Sequence, residues 1–328
     1  MTTSVDDATL LLDHPIGRHG RVTIRLASAE VRLVAEPTDR VTVRIPGGRT
    51  LPDWVTLETA DGDVKIREQE ALGRTFVVAR GTVRIEVGLP AEADVSVNTA
   101  SGWIDTLGLR GPQQYRTASG DIRLRDAGGR IDVNAVSGDI TLELAVAADL
   151  GIRTVSGDVT VTGGSVGALR LNTTSGDVRL ESPLTSRTDN SIETLSGGVS
   201  LLATAGLRVE ARTVSGDLSS DVPHRTEGSM GRRTLIVGDG ATALSFRSVS
   251  GDLHIRGAVS EAPRVDAPSR PTADTTDTAR PAADLPTTET DPDRMAILRA
   301  LEAGEIDVAT AMDRLASLDD QAGESGDV

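Results

Sequence analysis

The chain has 328 residues, no cysteine and a formal net charge of −15. Aromatic residues supply only 2% of it, while 34 glycines are spread along its length; that profile suits many short strands joined by tight turns around an aliphatic core. The charge disfavours nucleic acid and anionic membrane surfaces as partners, and the lack of cysteine excludes disulfides, thiolate zinc sites and cysteine nucleophiles.

Met1 to Leu12 include Asp6 and Asp7, with no basic cluster and no long apolar run. No secretory signal is expected there, and no stretch of the chain has the apolar length of a membrane helix. A cytoplasmic location is the expectation. Arg21–Leu26, Glu30–Glu36 and Val41–Ile45 alternate apolar with polar residues, the pattern of half-buried strands. They are read as an N-terminal β cap over residues 1–50.

A repeat fills residues 51–257. A decayed copy stands at Thr59-Ala60-Asp61-Gly62-Asp63-Val64, and a second begins at Thr99, Ser101 and Gly102. The motif is then Ser119-Gly120-Asp121, Ser137-Gly138-Asp139, Ser156-Gly157-Asp158, Ser175-Gly176-Asp177, Ser196-Gly197-Gly198, Ser215-Gly216-Asp217 and Ser250-Gly251-Asp252. Neighbouring copies lie roughly 20 residues apart, a period that marks stacked repeats. The last gap is nearly double, and holds either a degenerate copy or an inserted loop around Gly228–Gly231. Each copy has room for two strands and two bends but no helix. The expected fold is all-β: a β-solenoid (β-helix) of about nine to ten short coils. Its rival is an antiparallel meander or sandwich, because Ser-Gly or Gly-Asp can also close a hairpin.

Alternation places Ile131, Val133, Ala135, Ile140, Leu142 and Leu144 on one inner face. The threonines before the motif, including Thr154, Thr173 and Thr213, then point inward too, and are expected to form a ladder of hydroxyls bonded to one another. Glycine supplies the bend, and the aspartate accepts from nearby turn amides. Outside, Asn98, Arg116, Asn134, Arg153, Asn172, Glu193 and Arg212 form a column that mostly separates like charges.

Residues 258–291 are rich in Pro, Thr, Ala and Asp and read as a disordered linker. Residues 292–318 show helical spacing: Met295, Leu298 and Leu301, a stop at Gly304, then Asp307 capping a second helix with Val308, Ala311, Met312 and Leu315. This small α-hairpin is too short to stand alone and is expected to recruit a protein partner. An acidic tail covers 319–328.

The motif array from Thr59 to Ile255 resembles the DUF4097 family of bacterial β-strand-repeat proteins, a family of candidate adhesins. The resemblance implies a β-helix and no catalytic residues, with cell-envelope stress regulation as a possible context. Residues 295–315 look like the short SHOCT-like module that accompanies such repeats.

The aspartate column could bind calcium, but the repeat lacks the second Gly-Asp half of a calcium roll, so turn stabilisation is expected instead. His14, His19, His224 and His254 show no metal-pair spacing and no adjacent nucleophile signature. No cofactor or metal is expected. The residue between Thr and Ser is apolar in most copies and includes Val136, Val155, Leu195, Val214 and Val249. Packing into the corner is the expected arrangement; facing water, the same column would be a contact stripe. With Leu298, Leu301 and Leu315 it forms the candidate interaction set. The reading is a non-enzymatic scaffold or protein-interaction module. A ligand-sensing module for an envelope regulator is the alternative, and a carbohydrate-active β-helix enzyme stands last.

Overall fold

A computed structural model describes residues 8–47, 50–69, 82–187, 189–203, 206–229 and 232–257. The linker, hairpin and tail expected at 258–328, with Leu298, Leu301 and Leu315, lie outside the described residues. Those described contain strands and no helix, and hydrogen bonds join them into one sheet of 21 strands.

One coil shows why the sequence winds this way. In 131–144, Ile131 and Val133 are fully buried and Ala135 nearly so; the chain bends at Ser137-Gly138-Asp139, and Ile140, Leu142 and Leu144 return to the same core. Period-two alternation thus gives each coil an aliphatic inner face on both sides of the bend. The coil pairs in parallel with those before and after it: Val133 lies between Tyr115 and Ile152, and Ile140 between Ile122 and Val159. Parallel pairing through the stack replaces the meander alternative with a solenoid-like winding. Among the described residues, antiparallel pairs occur only at the two ends.

The ends depart from the sequence reading. The segment Arg21–Glu36, expected in a cap, lies inside the stack, with Asp63–Glu68 and Val83–Pro90 on one side and Asp94–Ser101 and Ile104–Leu107 on the other. Ser28 stands opposite Ser101, so Ala27-Ser28-Ala29 is an unrecognised copy of the bend. Conversely, the decayed copy at Thr59 is no bend of the stack. Val55–Ala60 and Asp63–Glu68 form an antiparallel hairpin that turns at Asp61-Gly62, and Val64 aligns with Val22, ahead of the bend.

A matching exchange occurs at the other end. Ser250 of Thr242–Ser250 stacks on Ser196, and Thr213 stacks beyond Ser248. Sequence order had put the Ser215 copy next to Ser196. The double-length gap is an inserted hairpin, His224–Ser229 with Arg232–Val237, laid antiparallel on Leu207–Thr213. Antiparallel strands also cover the outermost coil at the other end, where Arg40–Ile45 pairs with Val83–Pro90 and Val55–Ala60 with Asp63–Glu68. Such caps blunt edges that would otherwise template further stacking. The exchange leaves the array's first and last coils in sequence, 21–36 and 242–257, paired on both sides, so neither can fray alone.

Candidate site: the stacked Ser-Gly-Asp corner

Glycine is demanded at the bend by backbone stacking. Gly157 has φ +116°, and a Cβ there would stand 2.2 Å from the carbonyl oxygen of Gly138. The same contact recurs from Gly102 to Gly197, and it follows the exchange: Gly251 meets Gly197, and Gly216 meets Gly251.

The aspartate carboxylates bond across coils rather than within their own turn. Asp121 Oδ1 accepts from the Asp139 amide at 3.0 Å, Asp139 from Asp158 at 3.0 Å, and Asp158 from Asp177 at 2.8 Å. Asp252 accepts from Asp217 at 2.8 Å. Carboxylates stacked at strand spacing repel by about 1 kcal/mol per neighbour in a water-like dielectric, while a hydrogen bond to a charged group contributes about 1.5–3 kcal/mol. The amide ladder therefore outweighs the repulsion. It also survives Gly198, whose amide still donates to Asp177 at 2.8 Å. The motif serines tie coils together as well: Ser156 and Ser175 donate through Oγ, at 3.5 and 3.4 Å, to the carbonyls of Val136 and Val155.

The hydroxyl ladder is largely replaced by a local bond. Thr99 donates to Thr117 at 3.2 Å, but Ala135 interrupts the column. Beyond it Thr154, Thr173 and Thr194 each donate to the carbonyl two residues on, at 3.1, 3.1 and 3.0 Å. The geometry of the bend offers that carbonyl closer than the next hydroxyl. In the two end coils, buried Ser248 and half-buried Thr213 have hydroxyls without a partner among the described residues.

The apolar column divides. Val136 (52%), Val155 (48%) and Val214 (39%) are exposed, whereas Leu195 and Val249 are buried. Corner packing thus fails for the first three, because outward strand positions just ahead of the bend stay on the outer face. Exposed Ala118 and Ala100 extend the row towards Trp103, which takes the aspartate position of its coil. Beside this row run Asn98, Arg116, Asn134, Arg153, Asn172 and Glu193 in order. The neighbour of Glu193 is Arg247, at 3.5 Å, in place of Arg212.

Two arrangements escaped the sequence reading. Ser219 Oγ lies 2.8 Å from His254 Nδ1, and Asp221 Oδ2 lies 3.1 Å from His254 Nε2. The exchanged coils create this trio by setting Ser219 opposite His254. Catalysis through such a trio needs oxyanion donors and a water-excluding cleft. Here Asp221 is 61% exposed on an outer face, and the trio ties the end coils together. Elsewhere, a cleft of about 630 Å³ is lined by Trp54, Glu30 and Arg84. No described helix is long and apolar enough to cross a membrane.

Tyr115, fully buried in the core, donates to Gln113 Oε1 at 3.0 Å, and the Gln113 amide donates to the Gly128 carbonyl at 2.9 Å. Burial pushes the phenol well above its ordinary value of 10.0, offset only in part by the Thr106 hydroxyl. The neutral phenol's contribution to stability is therefore complete below pH 10 and is lost as pH rises beyond it, because only the unfolded chain ionises readily there. Tyr115 is the sole tyrosine, so phenolate absorbance in an alkaline titration is expected to appear together with loss of far-UV circular dichroism, not before it.

Residues 19–256 match the model of the Toastrack DUF4097 family. The chain belongs to that family. Among solved structures, this Toastrack chain is similar to a candidate adhesin from Parabacteroides distasonis, at 16% identity and TM-score 0.44, over 76% of this chain and 97% of that one. A candidate adhesin from Bacteroides fragilis gives 10% identity, TM-score 0.33, and 77% and 98% coverage. A candidate lipid-binding protein from Parabacteroides distasonis gives 15% identity, TM-score 0.31, and 77% and 98% coverage. No curated protein matches the chain.

Proposed function

We propose that this Toastrack protein is a non-enzymatic interaction scaffold whose contact surface is the ridge of Val136 and Val155 at the bend. The observation carrying this reading is the exposure of those two valines on adjacent coils, where the repeated bonds of the bend hold them on a stiff backbone. Exposed apolar side chains fixed in a row favour a partner that covers them. The segment 292–318 is a second contact element by its apolar spacing, and a tether such as 258–291 would raise the effective concentration of whatever either element binds. The family resemblance supports a place in cell-envelope stress regulation.

A photo-crosslinking residue at position 155, installed in the full chain in cells, tests the reading. Adducts are expected, and Val136→Asp combined with Val155→Glu in a competing chain is expected to lower that competitor's ability to suppress them at least ten-fold. Both side chains are already half in water, so far-UV circular dichroism should not change. Absence of adducts, or equal suppression by the substituted competitor, would sink the proposal.

A further inference from the structure

The outer surface of the corner carries three parallel rows. In the coil 148–163, Arg153 and Val155 face outward ahead of the bend, the chain turns at Ser156-Gly157, and Asp158 stands exposed beyond it. Neighbouring coils repeat the order with Asn134, Val136 and Asp139, and with Arg116, Ala118 and Asp121. Arg116 and Arg153 have no carboxylate partner among the described residues, unlike Arg125, which holds Asp105 at 2.7 Å, or Arg247 on Glu193. Each aspartate of the row gives one oxygen to the next coil's amide. Its second oxygen has no partner among the described residues. The ridge is thus basic on one flank, apolar along its crest and acidic on the other flank.

That pattern is self-complementary in one orientation only. We propose that the occupant of the ridge is a second copy of this chain, lying side by side with its coils advancing in the same direction. This rests on the reading of the ridge as the contact surface. A two-fold axis parallel to the stack sets the valine row against itself. It also brings Arg116 and Arg153 of each copy to Asp121 and Asp158 of the other. An axis across the stack would set arginine against arginine and aspartate against aspartate. Closed two-fold pairing of one patch with itself is the commonest route to a homodimer. The crest from Ala100 to Thr174 is about 20 Å long at strand spacing, the low end of interface sizes, so the dimer is concentration-dependent and not obligate.

Sedimentation equilibrium of the full chain over a range of concentrations tests this. A monomer–dimer equilibrium is expected. Arg153→Glu and Asp158→Arg should each weaken it at least ten-fold, since each places like charges across the axis. An equimolar mixture of the two variant chains should recover dimer, because both facing pairs become opposite again. If Asp158→Arg disturbs the circular dichroism, Arg116→Glu mixed with Asp121→Arg makes the same test two coils away on the same flanks. A chain that stays monomeric, or a dimer indifferent to these changes, overturns the proposal. So does a dimer abolished by Leu298→Asp with Leu301→Asp, which would place the contact in the C-terminal segment. A monomeric chain that still gives valine-dependent adducts from position 155 removes the second copy as occupant and leaves the ridge as a contact for another protein. Loss of those adducts as well removes both.

Discussion

Gly157→Ala is expected to destabilise the protein by about 3–5 kcal/mol. Two effects add. An L-residue at φ +116° is strained, and its Cβ would press to 2.2 Å from the Gly138 carbonyl oxygen, backbone that is itself fixed by the coil beneath. Nothing flexible is available to move, so the two coils must separate locally and weaken the Asp158–Asp139 and Ser156–Val136 bonds that cross the same gap. Gly17→Ala is the control. Gly17 has φ +69° with nothing within 4 Å of the added carbon, so it should show only the conformational cost, about 1–2 kcal/mol. Urea midpoints of the two variants measure the difference. Equal losses would mean that the stacked carbonyls do not constrain the corner.

The second large effect comes from the exchanged coils. Phe246 is fully buried, with Ile192 opposite it on one side and Ala211 on the other. Phe246→Ala should cost about 3–5 kcal/mol, because the small Ala211 cannot fill the cavity left behind. Crosslinking separates this arrangement from sequence-order stacking. The natural chain has no cysteine, so a pair can be introduced without competing thiols. Glu193→Cys with Arg247→Cys places the two on adjacent strands, at a Cα separation of about 5 Å that a disulfide tolerates. Glu193→Cys with Arg212→Cys places them two strands apart, near 10 Å, beyond a disulfide's reach. Oxidation should close the first pair and leave the second open. The reverse result would restore the order read from the sequence.

The two ends of the stack work alike. The coil that comes first in sequence is second in space, and the coil that comes last is second from the other end. Antiparallel strands cover both halves of the outermost coil at one end, and the Leu207–Thr213 half at the other. A stack finished in strict sequence order would present its terminal strand, the part of a chain most prone to fray, as the open edge. Turning the chain back over itself gives Thr242–Ser250 and Leu253–Gly257 a neighbour on both sides and leaves the Leu207–Thr213 side of that end to a hairpin.

The repeat itself was legible because its causes are local. Alternation decided which side chains enter the core, and the motif glycines marked most of the bends, where the stacked carbonyl leaves no room for a Cβ. The outward Arg and Asn positions followed from the same period of two. The failures are also specific. The Thr59 copy matched in letters, yet Gly62 closes a hairpin there, and neither strand nor turn chemistry distinguishes a hairpin from a coil corner at that length. Ala27-Ser28-Ala29 lacked the glycine signature and was missed, although it occupies a true corner. The aspartates were assigned to their own turns, and their bonds cross to the next coil, a distinction no single copy contains.

What the sequence determined alone, then, is the content of one coil: its two strands, its bend, its inner aliphatics and its outer polar row, each set by interactions between residues close in the chain. The tertiary structure decided which coil lies on which. Since every copy presents nearly the same surface to its neighbours, local chemistry is almost indifferent to their order, and only the closure of the two ends selects it. From that selection come the Glu193–Arg247 pair, the Ser219–His254–Asp221 trio and the burial of Leu195 and Val249. The exposure of Val136 and Val155 likewise depends on how sharply the stacked corner turns.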